Sequence, residues 1–118
     1  MFFADYETLR AASPIGSRLH VVEGDVTETV PRLLAERPGL RFAFVFLDLD
    51  LYEPTKACLE AVWDLVVPGG VVVFDEYGLQ EFPGESRAVD EFFAGRGVVL
   101  RSLPWCYCPS AYIRKGEG

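Results

Sequence analysis

Apolar residues along the chain switch between helical and strand-like spacing, and the switches mark out the elements. Residues 5–12 (DYETLRAA) favour a helix that stops before Ser13-Pro14, because a residue preceding proline is steered away from helical geometry. Residues 19–23 (LHVVE) predict a strand. VTETVPRLLAERP then places Val30, Leu33 and Leu34 on one face of a helix that starts at Thr27 or Glu28 and holds Pro31 in its first turn. Residues 41–47 are apolar without alternation, the pattern of a strand covered on both faces and hence of a parallel sheet. Residues 53–67 return to helical spacing through Ala57, Leu59, Val62, Trp63 and Val66, and Pro68-Gly69-Gly70 ends them. VVVFDEYG is another continuous apolar strand. Residues 85–94 predict a helix with Ala88, Val89, Phe92 and Phe93 on one face, and GRGVVLRSL and SAYIRK predict two closing strands joined by a loop around Pro104 to Pro109.

Strand, helix, strand, helix, strand in that order implies right-handed parallel crossovers. The expected fold is therefore α/β: an open, mostly parallel sheet with helices on both faces and a C-terminal antiparallel hairpin. At 118 residues the chain can build one core and not two, so residues 1–118 are expected to form a single domain. A formal charge of −7 with no cluster of Lys or Arg argues against a nucleic-acid partner. The longest apolar run before the first strand-end Asp, residues 42–47, falls far short of the ~20 residues that span a bilayer. MFFADYE lacks a basic segment and a long apolar stretch, so no signal peptide is expected and the cytoplasm is the expected compartment. Cys58, Cys106 and Cys108 are odd in number and contain no CxxC pair, which favours plain thiols over a disulfide framework or a zinc site.

The candidate chemistry lies at the strand ends, where open α/β sheets bind their ligands. Three successive predicted strands end in acid: VVEGD, VFLDLD and VVFDE, supplying Asp25, Asp48, Asp50, Asp75 and Glu76. Carboxylates brought together repel unless a cation sits among them, and a hard divalent ion such as Mg²⁺ takes oxygen ligands of this kind. An Asp at a strand end also caps helices, so Asp25 and Asp50 each have a plain structural reading as caps of the helices that follow them. A DxD after an apolar strand occurs in aspartate-nucleophile phosphatases and in nucleotide-sugar glycosyltransferases as well. The phosphatase pattern wants Gly-Thr after DxD and a downstream Lys; Leu51-Tyr52 follows here, and the only lysines are Lys56 and Lys115.

Taken together, DLDLYEPTKACLEAVWDLVVPGGVVVFDEYG and PGESRAVDEFF resemble the macrocin-type (TylF/MycF-like) O-methyltransferases, over residues 19–115. The resemblance implies a class I methyltransferase fold and an S-adenosylmethionine- and Mg²⁺-dependent enzyme that methylates a hydroxyl of a sugar or other secondary metabolite. It implies Asp48, Asp75 and Glu76 as metal ligands, Glu76 standing where relatives often have Asp or Asn. It also implies Asp48 and Asp50 at the reaction centre, and Gly24, Asp25 and Val26 against the methyl donor, with Asp25 accepting from an exocyclic amine. Tyr52, Thr55 and Tyr77 would lie near a small-molecule hydroxyl acceptor. Related catechol-type enzymes carry a Lys three residues after the first metal Asp, where this chain has Leu51; Asp50 and Glu85 are the candidate bases, and His20 is assigned no catalytic role. The aromatic stretch PWCYCPSAY is a candidate lining for the acceptor pocket.

Against that pattern, a class I fold should open with a strand, a glycine-rich GxGxG turn and a second strand ending in acid. The sequence contains none of these. Gly69-Gly70 and Gly95-Arg96-Gly97 lead into strands and read as turns. The chain thus corresponds to the C-terminal half of the fold, and residues 19–23 are expected to pair with 41–47, to pair with another chain as in a homo-oligomer, or to leave an edge exposed. A noncatalytic remnant or assembly module is the alternative to an enzyme.

Overall fold

The computed structural model describes residues 8, 11–78, 83–102 and 105–117. Its elements are α1 (Val26–Glu36), β1 (Phe42–Leu47), α2 (Tyr52–Val62), β2 (Val66–Phe74), α3 (Pro83–Phe93), β3 (Leu100–Ser102) and β4 (Ala111–Arg114). Thr8, Ala11 and Ala12 are helical as predicted, and the rest of that predicted helix lies outside the described residues. The strands form one sheet in the order β1-β2-β4-β3, with β1 parallel to β2 and β4 antiparallel to both β2 and β3.

The α/β class, the open sheet and the closing hairpin are as the sequence predicts. The parallel share is smaller, one pairing of three, because residues 19–23 form no strand. Val21 and Val22 are instead 55% and 52% exposed, and β1 is left at the end of the sheet. Among the described residues, the outer edge of β1 is paired with no other strand.

The second helix is also shorter than its apolar spacing suggests. It ends at Val62, passes through a 3-10 turn at Trp63–Leu65, and gives way to β2 at Val66. Val67 precedes Pro68 and so favours extended geometry, and Val66 gains a strand partner in Phe42 while remaining buried. The register then jumps, Phe44 pairing with Val71, so the Pro68-Gly69-Gly70 segment bulges within the strand rather than terminating a helix. Gly70 fits there because an added Cβ would stand 2.9 Å from the Val67 carbonyl oxygen.

Side chains of α2 and α3, namely Cys58, Leu59, Val89 and Phe93, join Leu47, Val72, Phe74, Ala111 and Ile113 of the sheet in one core, with Val26 and Val30 of α1 packed against it. All three of these helices therefore cover the same sheet face. The expectation of helices on both faces is met on this one among the described residues. The opposite face carries Phe44, Phe46, Val71, Val73 and Tyr112; Val73 is buried, whereas Phe44 and Phe46 are 62% and 45% exposed. No helix among the described residues is long and apolar enough to cross a membrane.

Candidate active site

Parallel pairing of β1 with β2, in register from Phe44↔Val71 to Leu47↔Phe74, brings the carboxyl ends of both strands level. The ladder continues one step, Asp75 N donating to Leu47 O at 3.1 Å. Asp48 and Asp75 therefore emerge side by side. Beyond Asp48 the chain makes a three-residue turn, Leu51 N donating to Leu49 O at 2.6 Å with Asp50 at φ 62°. Asp50 is the only described non-glycine residue at positive φ, and its Oδ1 is buried without a hydrogen-bond partner. Strain and an unmatched oxygen fall on the same residue.

The carboxylates gather into two overlapping groups. Asp48, Asp50 and Glu76 offer oxygens all within 4.8 Å of one another; Asp75, Glu76 and the Cys108 thiol form a second group on the same criterion. Glu76 belongs to both, so one side chain can serve either end. The mutual repulsion is legible in the protonation behaviour. Desolvation first, then the charge and hydrogen bonding of Asp75 and the charge of Asp50, hold the Asp48 carboxyl above its usual range. Desolvation, hydrogen bonding to Asp75 and the charges of Asp75, Asp50 and Asp48 push Glu76 up to about 6.

Helix α3 grips the turn that carries Glu76. Glu85 Oε2 accepts from Glu76 N at 2.7 Å, Ser86 Oγ accepts from Gly78 N at 2.7 Å, and Asp90 Oδ1 accepts from the Tyr77 hydroxyl at 2.7 Å. From the other side, the Ser110 hydroxyl donates to Tyr77 O at 2.7 Å. Glu85 is fully buried and its Oε1 has no partner; burial pushes it up to about 7 despite the opposing hydrogen bond from Glu76 N, with the charges of Asp75, Glu76 and Asp50 adding to the rise. Glu85 thus fixes the backbone beneath the acids, and each of the two candidate bases, Asp50 and Glu85, has one buried oxygen without a partner.

The other expected site residues divide. Gly24 (φ 135°) makes the turn into α1, where an added Cβ would lie 2.8 Å from Thr29 Cγ2. Asp25 caps α1, its Oδ1 accepting from Thr27 N at 2.9 Å and from the Thr27 hydroxyl at 2.7 Å. Val26 lines a cleft of about 380 Å³ that also reaches Asp48 and Leu49, so these two of the expected site residues, Val26 and Asp48, border one groove. The Tyr52 hydroxyl is held by Glu91 and by Lys56 Nζ at 2.9 Å, with the Arg87 guanidinium 4.0 Å above its ring. Thr55, expected on the acceptor rim, is instead fully buried, because the first turn of α2 packs under α3 with Gly84 against the Tyr52 backbone. Tyr77 is turned to Asp90 and lines a different cleft of about 280 Å³ on the far side of α3. Burial, then the hydrogen bond to Asp90, push its hydroxyl up to about 12.

Cys108, expected to be a plain thiol, lies beside the acids. Its Sγ stands 3.9 Å from Glu76 Oε2, and desolvation followed by the charges of Glu76 and Asp75 raises its pKa. A signal for it existed: once β4 returns antiparallel to β2, with Ala111 opposite Phe74, the residues just before Ala111 must lie beyond the end of β2, beside Asp75 and Glu76. In the same loop Trp105 and Tyr107 are 80% and 72% exposed, which excludes them from the core.

An α/β sheet whose parallel strands end in a cluster of acids presents them where open α/β sheets bind their ligands. Residues 7–114 match the family model for macrocin-O-methyltransferase (TylF), and the chain belongs to that family. Among solved structures it is similar to CalS11, described as a TDP-rhamnose 3'-O-methyltransferase of calicheamicin biosynthesis, at 41% identity and a TM-score of 0.82 over 94% of this chain and 48% of that one. A second CalS11 structure gives the same identity and TM-score over 44% of its chain, and the O-methyltransferase NovP matches at 28% identity and TM-score 0.55 over 64% of this chain and 30% of its own. The chain thus spans about half the length of the CalS11 chains, or less. No curated protein matches it.

Proposed function

We propose that this chain forms the metal-binding part of an S-adenosylmethionine- and Mg²⁺-dependent O-methyltransferase whose acceptor is a hydroxyl of a sugar or secondary metabolite. The observation that carries the reading is the pair of carboxylate groups sharing Glu76 at the ends of β1 and β2. Oxygen donors at this spacing, with Asp48 and Glu76 already resisting ionisation, fit a hard divalent cation. Asp48, Asp75 and Glu76 would hold it, with Asp50 alongside. When bound, such an ion lowers the proton affinity of an acceptor hydroxyl and S-adenosylmethionine supplies an activated methyl group.

The chain's own residues supply orientation. Glu85 and Ser86 hold the backbone of Glu76 and Gly78, so the acids keep their places as charge accumulates. Asp50 is the group positioned to take the hydroxyl proton, its buried Oδ1 having no other hydrogen bond. Val26, which lines the cleft of about 380 Å³, and the preceding turn at Gly24 and Asp25 would face the donor. The exposed Trp105 and Tyr107 stand on the loop that carries Cys108, where flat rings suit a sugar face.

Calorimetric titration with S-adenosylmethionine in the presence of Mg²⁺ tests the reading. Micromolar donor binding supports it, Mg²⁺ binding without donor binding at millimolar donor supports the cation part alone, and binding of neither contradicts it.

A further inference from the structure

Cys108 stands in a group of donors distinct from the oxygens of Asp48 and Asp50. Its Sγ, an Asp75 oxygen and a Glu76 oxygen all lie within 4.8 Å of one another, a spacing at which all three reach one ion. Two segments far apart in sequence build the group, the end of β2 and the loop before β4. Their meeting is held in place: Ser110 N donates to Phe74 O at 3.0 Å and the Ser110 hydroxyl donates to Tyr77 O at 2.7 Å, on either side of Asp75 and Glu76. The Cys106 thiol donates to Cys108 O at 2.9 Å, so the other cysteine of the loop is engaged with backbone. Independently of these donors, Glu85 is fully buried with its carboxylate turned to Glu76: Oε2 accepts from Glu76 N at 2.7 Å, while Oε1 has no partner. A buried, unmatched oxygen beside two more carboxylates and a thiol calls for positive charge, or for the water that a cation carries.

The geometry points to a second, overlapping cation site at Asp75, Glu76 and Cys108, one that takes a thiophilic divalent ion of the Zn²⁺ or Co²⁺ class rather than Mg²⁺. Ligand chemistry makes the choice. Mg²⁺ is a hard ion that holds oxygen ligands and its own waters, whereas a thiolate favours softer ions, and Zn²⁺ accepts both sulfur and carboxylate oxygen. Three protein donors leave such an ion a fourth position for water. In the unloaded chain the thiol faces Glu76 Oε2 at 3.9 Å. On binding, the S–H bond breaks, its proton goes to the buffer, and the sulfur's electron pair forms the bond to the metal. No oxidation state changes. Glu76 is common to this group and to the one it forms with Asp48 and Asp50. A Zn²⁺-class ion therefore draws Glu76 away from the hard-ion group, and the two ions compete for one side chain. Only that competition rests on the proposed Mg²⁺ site; the thiolate ligand stands on Cys108 and its neighbours alone.

Co²⁺ is the probe, because a cobalt–thiolate bond gives an intense near-ultraviolet charge-transfer band that oxygen ligands do not. Titration of the full chain under a phosphine reductant should raise this band to a one-to-one endpoint, and added Zn²⁺ should abolish it. Cys108→Ser should lose the band and weaken Zn²⁺ binding about tenfold or more by calorimetry, with Mg²⁺ affinity unchanged; Cys106→Ser should keep both the band and the Zn²⁺ affinity. In the parent chain, Zn²⁺ should shield Cys108 from alkylation by iodoacetamide, read by peptide mass with no variant needed, and Mg²⁺ should not. Co²⁺ binding without the band, a band that survives Cys108→Ser, a band lost equally in Cys106→Ser, or Cys108 alkylation unchanged by Zn²⁺ overturns the site. The band with no Mg²⁺ binding would support the thiolate site and contradict the hard-ion reading, and Mg²⁺ binding without the band would do the reverse. Mg²⁺ affinity unchanged by saturating Zn²⁺ overturns the competition.

Discussion

Asp50 combines a left-handed backbone, a buried unpartnered oxygen and membership of the acid cluster. Each feature costs stability, and strain of this kind amounts to roughly 1–3 kcal/mol. Asp50→Gly should therefore stabilise the fold by about 1 kcal/mol in denaturant unfolding while weakening divalent-cation binding. A variant that loses stability as well would contradict the assignment of strain to this turn. Glu85 makes a second prediction through its raised pKa. A carboxyl whose pKa rises on folding holds its proton more tightly in the folded state, so the stability it lends is full below its unfolded value and is lost as pH climbs through about 7. Unfolding free energy should fall by on the order of 3 kcal/mol between about pH 4 and about pH 8 without added metal. Glu85→Gln keeps an acceptor for Glu76 N and should remove most of that slope; an unchanged slope would show that Glu85 is not its source. Single residues also mark how far the sequence could be read. That Asp48 and Asp75 would emerge on neighbouring strands was legible, because strand ends in a parallel sheet fall together. The places of Thr55 and Tyr77 were not, since they depend on how α3 lies across α2 and the turn after β2.

At the scale of elements, the helix pair α2 and α3 sets the geometry of the site. Gly84 lets the first turn of α3 approach α2 so closely that an added Cβ would stand 2.7 Å from Tyr52 N and 3.4 Å from Leu51 C. Backbone cannot yield as a side-chain tip can. Gly84→Ala should therefore destabilise by about 1–3 kcal/mol, and by shifting Glu85 it should loosen the turn at Glu76. Unaltered stability in thermal and denaturant unfolding would refute that close approach. The apolar periodicity fixed α1 and α3 to within a few residues and β1 to within one. It failed over residues 63–67, where Trp63 and Val66 keep helical spacing but serve a 3-10 turn and a strand start. Buried β-branched residues fit either pattern, and the pairing partner Phe42 decides between them. Residues 19–23 failed for a different reason: a strand needs a neighbour, and local sequence does not reveal whether one is present.

For the molecule as a whole, helices cover one sheet face among the described residues, and β1 stands at one end of the sheet. The acids, the helix that braces them and the loop bearing Cys108 lie at the carboxyl ends of β1 and β2. The β1 end adjoins Val26, of the turn expected to meet the donor. This division predicts that cation binding and donor binding can be separated, the first residing wholly in this chain. The measurement that tests this most directly is a calorimetric Mg²⁺ titration near neutral pH of the parent chain beside Glu76→Gln, which alters the one ligand common to both carboxylate groups. The parent should bind Mg²⁺ and the variant should bind it about tenfold more weakly or worse. Equal affinity in the two, or no Mg²⁺ binding by the parent, would contradict a shared cation at the ends of β1 and β2.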